Sequence, residues 1–183
     1  MSKKIAIICA VSLNGVYGIK NKLSGKEEIP WKSSYDLSRF KEVTKGKTVV
    51  MGRGTWDSLP IKPLPDRENI VVSSNGRLKL PDGVRLVGNI DEAIEKATTE
   101  KVFIIGGARL WASVLPIANY IYLTIVHKDI LVTDRTFVFK QALTVAKLYP
   151  NYHLIRDFFI EEDIGDGKDT KVEFFEYERR FKK

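Results

Sequence analysis

The stretch Lys101–Val126, KVFIIGGARLWASVLPIANYIYLTIV, carries the fold in miniature. Its first run, KVFII, is short and apolar, as a strand covered on both faces must be. Gly106 and Gly107 break that run, ARLWASVL follows as a helix-like segment, and NYIYLTIV is strand-like again. Strand, helix and strand in that order predict a βαβ unit, because parallel strands need a crossover and a helix usually supplies it. The alternation extends outward: IAIICAV, DLSRFKEVT, KTVVMG, ENIVVSS and IDEAIEKAT precede the stretch. The expected fold class is therefore α/β, a single domain over residues 1–183 with a central, mostly parallel β-sheet flanked by helices. The tail departs from this pattern. YHLIRDFFIEED and TKVEFFEYERRF flank the polar turn GDGKD, which predicts an antiparallel C-terminal hairpin closing one edge of the sheet.

Composition narrows the function classes. The chain has 30 Lys+Arg against 23 Asp+Glu, a net charge of +7, which favours anionic partners such as nucleic acid, phosphorylated cofactors or polycarboxylates. The basic residues are scattered, and without a basic stripe the C-terminal RRFKK is a solvated tail, so no nucleic-acid partner is expected. One Cys and two His, His127 and His153, cannot build a familiar four-ligand zinc site, so no metal is expected. The lone Cys9 lies in IAIICAV, reads as core, and fits a reducing, cytoplasmic location. Lys3 and Lys4 before that run imitate a signal peptide, but the run is short and ends in Asn-Gly, so a buried first strand is expected. Gly106, Gly107, Arg109 and Pro116 interrupt Val102–Val126, which leaves no membrane-spanning helix. The segment Ser12–Pro30 is long for a connection and is expected to be a lid over the residues that follow it.

Those residues include an acid with two readings. Ser33-Ser34-Tyr35-Asp36 matches a capping box, in which Asp36 reaches back to a free backbone N–H. Alternatively, Leu37, Phe40 and Thr44 form an apolar stripe and Asp36 stands at its edge, partly desolvated, with a raised pKa and able to pair with an amidine-like ligand.

At motif level the residues from Ile5 to about Phe137 resemble the dihydrofolate reductase family: PWKSSYDLSRFK, VVMGRGTWDSL, PLPDRENIVVSS, VFIIGGARLW and YLTIV occur in the family's order and approximate spacing. The resemblance implies NADPH-dependent reduction of dihydrofolate to tetrahydrofolate, supporting one-carbon metabolism and thymidylate synthesis, in a monomer that also binds antifolates. It implies a catalytic group of Asp36 as the pterin-binding acid, Thr124 as its hydrogen-bond partner and Trp31 near an ordered water. It places Ile8, Cys9, Ala10, Leu37, Phe40 and Leu64 around the substrate's rings, and Arg67 on its glutamate carboxylate. For the cofactor it implies Ala10, Tyr17, Gly18, Arg53, Gly54, Thr55, Ser73, Ser74 and Arg77, with Ile105, Gly106, Gly107, Ala108, Arg109, Leu110 and Trp111. The family also has a cis peptide between the paired glycines.

Some residues depart from the family's pattern. Trp111 stands where tyrosine is usual and Tyr17 where a smaller aliphatic residue is common, so both are expected to add bulk to the hydride-transfer site. Ala108 replaces glycine or serine, and the lid is several residues longer. Two competing readings are a pyrimidine reductase of riboflavin biosynthesis, which lacks the Pro-Trp, Asp and Phe set and the arginine of LPDR, and a basic nucleic-acid-binding module.

Overall fold

The computed structural model describes residues 2–144 and 150–180. Its strands are β1 (Lys4–Ser12), β2 (Val16–Lys20), β3 (Glu27–Glu28), β4 (Thr48–Gly52), β5 (Glu68–Val72), β6 (Val84–Val87), β7 (Lys101–Gly106), β8 (Tyr120–Val126), β9 (Thr136–Val138), β10 (Tyr152–Asp163) and β11 (Asp169–Arg179). The helices are α1 (Ser34–Thr44), α2 (Arg53–Ser58), α3 (Ile90–Lys96) and α4 (Ala108–Val114). Eight strands form one sheet in the order β10-β11-β8-β1-β7-β4-β5-β6, and β3-β2-β9 form a small second sheet. From β8 to β6 the pairing is parallel, while β11 runs antiparallel to β8 and β10 antiparallel to β11. The expected α/β architecture and its edge hairpin are both present.

The βαβ unit explains how the sheet is covered. Strands β7 and β8 lie on either side of β1, with Ile5 opposite Val102 and Cys9 opposite Leu123, so the crossover through α4 spans β1. Alternation along β1 then divides the interior. Ile5, Ile7, Cys9 and Val11 enter one apolar cluster with Trp111 and Leu115, while Ala6 and Ile8 enter another with Met51, Trp56 and Phe103.

Two expectations need correction. Ser12–Pro30 is not a plain loop: β2 pairs with β9 and β3 pairs with β2, so part of the segment's backbone is tied into the small sheet. The pairing of Val16 with Val138 joins residues far apart in sequence, which local periodicity cannot reveal. The stripe on α1 is also shifted. Thr44 is buried and Phe40 half-buried, but Leu37 is 53% exposed, and Arg39 is buried in its place. Arg39 is accommodated by an ion pair with Glu176 at 3.0 Å and by the Tyr122 and Phe174 rings, 5.5 and 5.4 Å from its guanidinium carbon. Of the basic tail, residues 181–183 lie outside the described residues.

Candidate active site

The start of α1 decides what Asp36 does. Ser33 is the N-cap, and its hydroxyl accepts the Asp36 backbone N–H at 3.0 Å, which is half of a capping box. The other half is absent. Glu162, from β10, serves the first turn instead: it accepts from the Ser33 hydroxyl, from the Ser34 N–H at 3.1 Å and from the Ser34 hydroxyl at 3.0 Å. With the helix start satisfied from outside, the Asp36 side chain turns the other way, and its Oδ1 accepts the Thr124 hydroxyl at 2.6 Å. Thr124 is buried on β8, directly opposite Ala10 of β1 and Phe174 of β11.

Electrostatics follow from that placement. Burial pushes the Asp36 carboxyl above the ordinary aspartate value, the Thr124 hydrogen bond and Arg39 pull it down, and Glu162 adds a small upward push. Cys9 lies in the same environment. Burial, and secondarily Asp36, push its thiol up to about 12, so it is a packing residue with no thiolate at neutral pH.

The apolar walls come from both core faces. Ile8 is buried, with Phe40 and Leu64 half-buried in the same cluster, while exposed Leu37 is left uncovered on α1. Trp31 is buried with Val126, Ile164, Val172 and Phe174, and Ala10 packs against that group. Arg67 is held rather than loose: Nε donates to the Thr44 hydroxyl at 2.8 Å, Nη1 to the Pro65 carbonyl at 2.8 Å and Nη2 to the Lys41 carbonyl at 3.3 Å. These bonds use three of its five N–H groups, and the guanidinium carbon lies 5.7 Å from the centre of the Phe40 ring.

Sequence reading missed Asn69, which fixes this corner. It is buried on β5, accepts the Leu64 N–H at 3.0 Å, and donates to the Leu64 and Arg67 carbonyls at 2.9 and 3.0 Å. An amide inside the apolar strand ENIVV was the available signal, since a polar side chain in a buried strand must find partners.

The second half of the cleft lies at the carboxyl ends of neighbouring parallel strands, where open α/β sheets bind ligands. The Gly106–Gly107 peptide is cis, as expected, and Gly106 has φ 146°. A Cβ at Gly106 would stand 2.8 Å from the Thr55 hydroxyl, so no other residue fits there. Gly52 faces the same junction, with a Cβ at that position reaching only van der Waals distance from Gly107 N. The result is a backbone cradle at the ends of β4 and β7 that suits a pyrophosphate better than a side chain. Ile105 leads into this junction half-buried, and Ala108 and Leu110 lie half-buried just after it. Around it, Arg53, Ser74, Arg77 and Arg109 are exposed and Ser73 is half-buried. Among the described residues Arg53 pairs with Asp57 alone, one helical turn away, at 3.3 Å.

One expectation fails here. Trp111 is buried, and its indole N–H donates to the Ile104 carbonyl at 3.0 Å, because an interior N–H needs an acceptor and the strand provides one. Its bulk therefore lies in the core behind the glycines. Tyr17 is half-buried and meets Trp111 edge-on with ring centres 5.2 Å apart. Gly18 is buried beside it, with Phe137 across the small sheet.

The described residues hold no cluster of three or more His, Cys, Asp or Glu arranged for a metal, and no described helix is long and apolar enough to cross a membrane.

Comparison with known proteins agrees with this geometry. The family model for dihydrofolate reductase matches residues 4–147. The dihydrofolate reductase of Buchnera aphidicola subsp. Acyrthosiphon pisum is 43% identical over 128 residues, covering 69% of this chain and 74% of that protein. That of Mycobacterium tuberculosis is 38% identical over 117 residues, covering 63% of this chain and 66% of the relative. A solved dihydrofolate reductase from Enterococcus faecalis, complexed with NADP(H) and RAB-propyl, has a similar fold, with TM-score 0.76, 22% identity and 99% of both chains covered.

Proposed function

The chain belongs to the dihydrofolate reductase family, and from that premise we propose that it reduces 7,8-dihydrofolate to tetrahydrofolate with NADPH. The observation that carries the proposal is the Asp36 carboxylate: with the first turn of α1 served by Glu162, it is held by Thr124 and largely desolvated where α1 meets β8. A buried acid with one fixed donor and remaining lone pairs accepts the paired N–H groups of an aminopyrimidine ring edge. Its raised pKa favours sharing a proton with that ring, which prepares the ring nitrogen for protonation. Trp31, walled in by the same sheet, would position the water that delivers the proton.

Arg67 would grip the substrate's glutamate carboxylate with its two remaining N–H groups, since the other three already fix its orientation. Ile8, Leu37, Phe40 and Leu64 would pack the rings between Asp36 and Arg67. Cys9 and Ala10 would contact the pterin from β1.

NADPH supplies the hydride when bound. The glycine cradle, Thr55 and Ala108 would hold its pyrophosphate side, while Arg53, Ser73, Ser74 and Arg77 would carry the adenosine end, with arginine and hydroxyls suited to an extra phosphate. Tyr17, Gly18, Ile105, Leu110 and Arg109 complete that side, and Trp111 supports it from the core. The proposal includes a single domain working as a cytoplasmic monomer, in keeping with the buried, unpaired Cys9; gel filtration checks the oligomeric part.

The test is the loss of reduced-nicotinamide absorbance when the purified chain meets NADPH and dihydrofolate. Turnover that disappears in Asp36→Asn supports the reaction and the acid together. A folded wild-type protein without turnover would overturn it.

A further inference from the structure

The lid contributes a group that the proposed reaction does not use. Glu27, on β3, is half-buried and lies against α2, where a Cβ built on Gly54 would stand 3.0 Å from Glu27 Oε1 and 3.4 Å from Oε2. The carboxylate therefore rests on bare backbone that only a glycine exposes so fully. Its charged surroundings are Lys20 on β2 and Asp57 on α2, and Asp57 is itself paired with Arg53. Tyr17, on β2, senses the same carboxylate, and its hydroxyl lies 3.7 Å from where a Cβ on Gly107 would be. One side chain from β2 and one from β3 thus present oxygen atoms to Gly107 at the end of β7 and to Gly54 in the first turn of α2.

We propose that Glu27 is an affinity-setting residue of the cofactor side: its carboxylate, seated on Gly54, holds ground that a phosphate group of NADPH would take, so the cofactor binds in competition with it. This rests on the reading above that Arg53–Thr55 and Gly106–Gly107 receive NADPH. The local charge supports it. At Gly54 itself Glu27 and Asp57 balance Lys20 and Arg53, so a phosphate seated there meets repulsion from the carboxylate until it leaves or is protonated. Burial, then Asp57, push the Glu27 carboxyl upward, against a smaller pull from Lys20. Protonation therefore comes at a higher pH than for an ordinary glutamate, and acidification weakens the competition.

The experiment is titration of NADP+, which survives acid, into the wild type, Glu27→Gln and Glu27→Ala, followed by calorimetry between pH 5 and pH 8. At pH 8 both variants should bind about five- to tenfold more tightly than the wild type. The gap should narrow as the pH falls, because the wild-type carboxyl takes up its proton more readily than an ordinary glutamate. Affinity for dihydrofolate without cofactor should be the same in all three. Equal or weaker NADP+ binding by the variants overturns the proposal, as does a matching change in dihydrofolate affinity, which would mark a general loosening of the lid. If none of the three binds NADP+ at all, the functional reading itself fails and this inference goes with it; normal binding with unchanged affinity defeats only the role of Glu27.

Discussion

The two halves of the cleft are built differently. On the side of Asp36, each polar group has a fixed partner: Thr124 for Asp36, Glu162 for the start of α1 and Thr44 for Arg67, all from other elements, with Asn69 holding the loop that carries Arg67 from the adjoining strand. On the side of the glycine cradle, Arg53, Arg77 and Arg109 are exposed, and the partner of Arg53 among the described residues is a neighbour on its own helix. The first half is organised before any ligand arrives, and such a site binds without first paying to order its side chains. The second offers rigid backbone rimmed by loose cations, so much of its order must come from the ligand. Substitutions should accordingly act through specific geometry in the first half and through charge in the second.

The strongest way to break that contrast is Asp36→Asn. Turnover at neutral pH should fall about a hundredfold or more, with partial recovery in acid as the substrate protonates without help. Stability should move the other way. A carboxyl raised in the folded state binds its proton more tightly there than in the unfolded chain, so its contribution is favourable below the ordinary aspartate range and is lost as pH rises through the folded value. Asn escapes that loss. Thermal melts should show the variant more stable than the wild type at pH 7 and level with it at low pH. Equal turnover, or a destabilised variant at pH 7, would remove Asp36 from the role given to it.

Arg67→Leu ranks next. It removes a charge-assisted pair whose geometry is already fixed, so dihydrofolate affinity should drop roughly thirty- to hundredfold while NADPH affinity is spared. Parallel losses for both ligands, measured by fluorescence quenching, would count against the division of the cleft. Thr124→Val is smaller. Loss of one hydrogen bond should lower kcat/KM about five- to tenfold. Because that bond holds the Asp36 carboxyl down, its removal should also shift the pH profile of kcat/KM upward.

The same division marks what the sequence reveals. Strands β1, β4, β5, β7 and β8 and helix α1 were legible because buried parallel strands leave unbroken apolar runs between helical segments. The hairpin of β10 and β11 was legible from its polar turn, although the family model ends at residue 147. Asp36, Thr124 and the glycine pair were legible through the family's motifs. Glu162 was not, because its partnership with α1 spans 128 residues in the chain and nothing local distinguishes it from its neighbours Glu161 and Asp163. Arg39 misled for a related reason. Helical phase ranks side chains by polarity, and only the facing Glu176, Tyr122 and Phe174 make a buried guanidinium tolerable. Leu37 is the converse, an apolar residue left exposed on the face where a ligand is proposed to sit.

Glu162 gives the smallest predicted effect and the sharpest test of how the first half is put together. Glu162→Ala strips acceptors from the first turn of α1 and should cost about 1–2 kcal/mol of stability, on the scale of a lost helix cap. Glu162→Gln keeps an acceptor and removes the charge, so most of that stability should remain. The charge has a separate consequence: it pushes the Asp36 carboxyl upward, and either variant should therefore lower the pH at which Asp36 titrates. In the alanine variant alone, the uncapped N–H groups compete with Thr124 for Asp36, the nearest acid on the helix, and turnover should fall a further few-fold. If the two variants are equally active and equally stable, the hydrogen bonds accepted by Glu162 do not free Asp36, and the carboxylate faces Thr124 because β8 draws it there.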